Sequence, residues 1–198
     1  MTDNLCWYKL NLNVKNALRS DWKFPRHNGK YGIWHYEAVK MFDIGWLYDT
    51  HDKGISLINA MLFFRGPGYN NNTAHMDLAE NKKNGLQVWN FGINWCIGGR
   101  DSEMVWYKTP TDFNLHKDVP YTAAKTPFIS WPINELTEIE RHNIGNTVTL
   151  VNTGKPHTVN MNNDPRWCIS VRGFFRDNIT WDEIVSEMRT NKLLIERV

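Results

Sequence analysis

At 198 residues and 41% hydrophobic side chains, the chain is long enough to bury one sizeable core, so a single domain over residues 1–198 is expected. A formal charge of +2 lacks the strongly basic balance of a dedicated nucleic-acid binder, and no apolar run reaches membrane-span length. The start, "MTDNLCWYKLNLNVKNALRS", has no basic stretch leading into an apolar one, and three cysteines (Cys6, Cys96, Cys168) make no disulfide framework, so a cytoplasmic, reduced protein is expected. The 23 asparagines fit an AT-rich genome of phage or bacterial origin.

In chain order, "LCWYKLNLNV" (5–14) alternates like a strand, and "YEAVKMFDIGWLYDTH" (36–51) reads as a helix with one apolar side. Strand signals then take over. "ISLINAMLFFRG" (55–66) is β-like and stops at Gly66-Pro67-Gly68, and "TAHMDLA" (73–79) is a short strand. "GLQVWNFGINWCIGG" (85–99) alternates throughout, with Val88, Asn90, Gly92, Asn94 and Cys96 on one face and Trp89, Phe91, Ile93, Trp95 and Ile97 on the other. "SEMVWYKT" (102–109) follows a Gly-Gly-Arg-Asp turn, a hairpin signal. Residues 110–133 read as a long loop, and loops of that length inside a compact domain are often functional. "INELTEIERHN" (133–143) fits an edge strand or a short helix. "NTVTLVN" (146–152), "PHTVNM" (156–161) and "RWCISVRGFF" (166–175) are three further strands. A helix over about 180–194 opens with a capping box, Thr180 followed three residues later by Glu183. About eight short strands with a helix towards each end predict a mainly β fold, a double-stranded β-helix (jelly roll, cupin-like) with its barrel core at about 55–175. An immunoglobulin-like sandwich is the competing arrangement.

The polar run "NNNTAHMDLAE" (70–80) carries His75 and Asp77 at i and i+2. On a strand both point to one face and can converge on one ion. Alone the pair is weak, because a satisfied surface pair reads the same way. A third ligand must come from a distant strand, and His157 opens one after the turn-like "NTGKP". Nine residues on, Arg166 opens an otherwise apolar strand, where an inward guanidinium can bind a carboxylate bidentately. Ser170 shares its face and adds a hydroxyl donor. Two imidazoles and a carboxylate on one side of an ion leave the other positions open, as in non-haem Fe(II) oxygenases.

"HMD" followed by "PHTVNMNNDPRWCISVR" resembles the 2-oxoglutarate- and Fe(II)-dependent oxygenases, nearest to the prolyl hydroxylases and the aspartyl/asparaginyl β-hydroxylase-like proteins, over roughly residues 57–175. The resemblance implies Fe(II) on His75, Asp77 and His157, and the distal carboxylate of 2-oxoglutarate on Arg166 with Ser170 assisting. Asn94 would contact the other carboxylate or the substrate. It implies hydroxylation by O2 of an unactivated C–H bond, with release of succinate and CO2, on a small-molecule or peptide substrate such as free or peptidyl Pro, Asp or Asn. Asp77 argues against halogenation, which needs that position vacant. Arg172, six residues after Arg166 and on the same face, is the rival for the dicarboxylate or a substrate contact. Two other classes stay open: a cupin-type metalloenzyme without 2-oxoglutarate, which has no use for Arg166, and a non-catalytic jelly-roll binding module, which holds no metal. No Gly-x-Ser-x-Gly elbow, phosphate-binding glycine loop or Cys-x-x-Cys pair is present.

Overall fold

The computed structural model describes residues 5–81, 85–115, 119–122, 126–173 and 179–195. In chain order the elements are β1 (Trp7–Leu10), β2 (Tyr31–Glu37), α1 (Ala38–Met41), α2 (Ile44–Asp52), β3 (Leu57–Arg65), β4 (Thr73–Asn81), β5 (Gly85–Val88), β6 (Gly92–Gly98) and β7 (Glu103–Tyr107). There follow β8 (Phe128–Pro132), a 3-10 turn (Ile133–Glu135), β9 (Glu138–Asn143), β10 (Val148–Val151), β11 (His157–Asn160), β12 (Arg166–Gly173), α3 (Trp181–Thr190) and β13 (Leu194–Ile195). The strands form two antiparallel sheets. One runs β13-β1-β10-β6-β12-β3-β2; the other runs β5-β4-β11-β7-β9, with β8 also paired to β4. The expected mainly β class holds at this level: two antiparallel sheets with few helices.

Alternation along the strands builds the layers. Ala60, Leu62 and Phe64 on β3, Ile93 on β6 and Ile169 and Val171 on β12 are buried. Most of them join Ala38 and Met41 of α1 and Ile184, Val185 and Met188 of α3 in one apolar cluster. The seven-stranded sheet is thus covered by helices on that face. Its opposite residues, among them Met61, Phe63 and Arg65 on β3, Asn94 on β6 and Arg166, Cys168 and Ser170 on β12, line a cavity. His75, Asp77, Met104 and His157 of the other sheet line the same cavity. Beside it Cys96 and Cys168 pack with Met104, Trp106 and Val159, closing the space between the sheets with apolar side chains. The Trp106 indole is fully buried and donates to the Asn152 carbonyl at 2.8 Å, which satisfies its one polar atom.

Several expectations are corrected. The helix expected at 36–51 is two short helices, broken at Phe42-Asp43; Asp43 caps α2 by accepting from the Trp46 backbone N–H at 3.1 Å. Helical periodicity alone misses this, because Asp43 competes for the backbone as a cap rather than continuing the turn. The segment 85–99 is two strands in different sheets: β5 pairs with β4, and β6 lies between β10 and β12. The alternation continues through the crossing at 89–91, so periodicity gave no sign of it. Gly98 and Gly99, at φ +76° and +61°, turn the chain from β6 into β7 of the opposite sheet, and the two strands do not form the hairpin the turn signal predicted. β2 had no counterpart among the expected elements, and the loop expected at 110–133 contains β8. Segment 133–143 is both alternatives in turn, a 3-10 turn and then the edge strand β9. The capping box at Thr180 forms as expected, with both of its hydrogen bonds present. The helix ends at Thr190 rather than 194, because Lys192 takes φ +57° and sends Leu194–Ile195 into pairing with β1. No helix among the described residues is long and apolar enough to cross a membrane.

Candidate metal centre

β4 places the first two ligands. Its side chains alternate strictly: Ala74, Met76 and Leu78 are buried on one face, while His75 and Asp77 face the cavity. Met76 thus points away from His75, as strand alternation requires. β11 lies beside β4 with His157 directly opposite His75, which sets the two imidazoles 4.4 Å apart between ring centres. His75 Nε2 and Asp77 Oδ1 are 3.6 Å apart. Ligand atoms of His75, Asp77 and His157 all lie within 4.8 Å of one another. Atoms bound to one ion at ~2.1 Å are separated by roughly 3–4 Å, so small side-chain adjustments suffice to close the set on a metal.

The tautomer of His157 is fixed by the fold. Its Nδ1 lies 2.9 Å from the Lys155 carbonyl, which can only accept. Nδ1 therefore carries the proton and Nε2 offers its lone pair, the outer hydrogen bond that metal-binding histidines use to orient the ring. His157 is buried, whereas the side chains of His75 and Asp77 are 27% and 13% exposed, so the metal end of the cavity opens past β4. Asp77 is also held through its backbone: its N–H donates to Thr153 at 3.1 Å and its carbonyl accepts from Trp89 at 2.9 Å.

The opposite wall is cationic. Arg166 is 4% exposed and Arg65 8%. They stand side by side in register on β12 and β3. Arg65 Nη1 donates to the Val159 carbonyl at 3.2 Å. Arg65 Nε and Arg166 Nη1 are buried and have no hydrogen-bond partner among the described residues. No carboxylate pairs with either guanidinium among those residues. Burial, and then the neighbouring charge of Arg166, push Arg65 down to about 10, so it still carries its charge at neutral pH. Ser170, 8% exposed, follows Arg166 by four residues on the same face and lies opposite Asn94, whose Oδ1 is buried without a partner. Cys168 lies between Arg166 and Ser170, opposite Cys96 across the ladder. The hydrogen bond between the two thiols draws Cys96 down and pushes Cys168 up.

His75, Asp77, His157, Arg166, Ser170 and Asn94 therefore meet in one cavity between the two sheets, open at one side to solvent. The described part of the 110–133 loop contributes Thr122 and Thr126 to the lining. The backbone of Arg172 pairs with Asn59, and its side chain lies outside the described residues. Sequence reasoning missed Arg65. The available signal was the one used for Arg166, a charge ending an apolar strand, here "LINAMLFFR" before Gly66. The donor set, two imidazoles and a carboxylate, could hold a divalent metal ion with positions left open, and the orphaned guanidinium nitrogens suit an anion. The chain matches no model of a known protein family, and no curated protein is found to be similar to it.

Proposed function

We propose that the protein is a 2-oxoglutarate- and Fe(II)-dependent dioxygenase built on a double-stranded β-helix, hydroxylating an unactivated C–H bond of an amino-acid or peptidyl (Pro, Asp or Asn) substrate. One observation carries this reading: a His–Asp–His cluster and a buried arginine without an acid face each other across one cavity. His75, Asp77 and His157 would hold the iron, His157 through Nε2 because Lys155 fixes its other nitrogen. Arg166 would bind the distal carboxylate of 2-oxoglutarate with Ser170 beside it, and Asn94 would meet the near carboxylate or the substrate. When bound, iron and 2-oxoglutarate supply O2 activation with release of succinate and CO2. The protein's own work is orientation and dryness. Phe63, Met104 and Val159 keep water from the floor, which strengthens every charge interaction there. Thr122 and Thr126 line the wall left free of metal and carboxylate donors, and we place the substrate against them.

Anaerobic addition of Fe(II) and then 2-oxoglutarate tests the proposal. A weak visible charge-transfer band is expected only when both are present. No band in the wild type overturns the reading. A band that survives Arg166→Ala but not His157→Ala keeps the metal ligands and reassigns the arginine.

A further inference from the structure

We infer that Arg65 is a second carboxylate-binding residue, so that the seven-stranded wall of the cavity carries a two-arginine cradle for one carboxylate. The inference rests on the co-substrate reading above and adds to it a residue that neither the His-x-Asp motif nor its spacing indicates. Arg65 and Arg166 are direct partners across the β3–β12 ladder, both are buried, and both line the cavity. Like charges in that position repel, and burial removes the water that would screen them. The groups around Arg65 bring no formal countercharge: Val159 offers a carbonyl, Tyr31 lies opposite on β2, and Tyr31 stacks on Tyr69 at 5.0 Å. Burial pushes the Tyr31 phenol up, so it is neutral at physiological pH. Two thiols share this face: Cys168, raised by its hydrogen bond with Cys96 and by burial, is held protonated, while Cys96, drawn down to about 7 chiefly by the same hydrogen bond, bears on Arg166 rather than on Arg65. One N–H-bearing nitrogen on each arginine, Nε of Arg65 and Nη1 of Arg166, has no acceptor among the described residues. A carboxylate has two oxygens and about four acceptor directions, so one such group satisfies both. The cavity then selects a ligand that presents a carboxylate to the seven-stranded wall.

The experiment compares 2-oxoglutarate with 2-oxopentanoate, which keeps the keto-acid head and the chain length but lacks the distal carboxylate. Binding to the Mn(II)-loaded protein is read by calorimetry, and ligand-free stability by thermal melting, so no turnover is needed. The wild type should prefer 2-oxoglutarate by at least about 100-fold, and Arg65→Met should remove roughly 30-fold of that preference while leaving 2-oxopentanoate binding within about threefold. The ligand-free melting point of Arg65→Met should stay level or rise, because the variant relieves Arg166 of its neighbour's charge. Undiminished preference in Arg65→Met, with preference lost in Arg166→Met, overturns the role of Arg65 and leaves the co-substrate reading standing. A lowered melting point with preference intact assigns Arg65 to holding the Val159 carbonyl only and also overturns it. No preference in the wild type sinks the co-substrate reading and the cradle together. If Arg65→Met does not fold, Arg65→Lys keeps the charge but not the planar fork and should still lose about tenfold; full retention of preference there overturns the cradle.

Discussion

The six-stranded wall brings to the cavity two imidazoles and a carboxylate that lie against one another, whereas the seven-stranded wall brings two guanidiniums that meet no acid among the described residues. The first group can satisfy itself: His75 sits within ion-pair distance of Asp77, and His157 is anchored on Lys155. A protein with no use for metal could keep such a cluster at little cost. The second group cannot, because a buried guanidinium without an acid to neutralise it is among the costlier features a fold can carry. The difference reverses the weight that motif reading assigns. His-x-Asp draws the eye, yet the arginine wall makes the stronger demand for a ligand.

The largest expected effect breaks the first wall alone. His157→Ala removes a buried ligand with a fixed tautomer and should weaken Fe(II) or Co(II) binding by about a thousandfold or more, measured by competition with a chromophoric chelator. Glutarate, a dicarboxylate that needs no metal to reach the arginines, should still raise the melting point of this variant. Next comes the complementary lesion. Arg166→Met should cost about 100-fold in 2-oxoglutarate affinity, on the order of 2–3 kcal/mol, as expected for a charge-assisted bidentate contact. Metal affinity without 2-oxoglutarate should change by less than about threefold. If Arg166→Met weakens the metal as much as it weakens 2-oxoglutarate, the two walls are one unit and the comparison between them fails.

How much of this was legible in the sequence follows from the kind of signal each residue leaves. His75 and Asp77 were readable because strand alternation is a local property, and the structure puts both on the cavity face with Met76 behind. His157 and Arg166 were readable because each opens a strand where a polar side chain needs a reason. Arg65 ends a strand of the same kind, but its partner is 101 residues away, and only the β3–β12 register shows that the two charges are neighbours. The crossing between β5 and β6 and the missing β6–β7 hairpin escaped for a related reason. Alternation reports which faces a strand has, not which sheet it joins, and a Gly-Gly turn serves a sheet-to-sheet crossing as well as a hairpin. The break between α1 and α2 hinged on one capping aspartate inside a periodic pattern.

The smallest effect on binding concerns how the arginine wall is supported. Gly99 follows β6 at φ +61°, and a Cβ built there would lie 2.9 Å from both Cβ and Cγ of Arg166 and 2.6 Å from Ser102 Oγ. The backbone conformation alone costs a non-glycine residue roughly 1–3 kcal/mol. Ser102 is fully buried and its hydroxyl donates to the Gly99 carbonyl at 2.6 Å, so it has little room to yield. The Arg166 stem must give way instead. Gly99→Ala should therefore lower stability by about 2–5 kcal/mol, strain and overpacking together, in a denaturant titration and weaken 2-oxoglutarate binding by about three- to tenfold. His75, Asp77 and His157 stand on β4 and β11 of the other sheet, out of reach of this displacement, so metal affinity should hold. Equal losses of metal and 2-oxoglutarate affinity would mean that the strain spreads through both sheets. A selective loss would show that the close packing of a glycine against the arginine stem sets where the guanidinium sits.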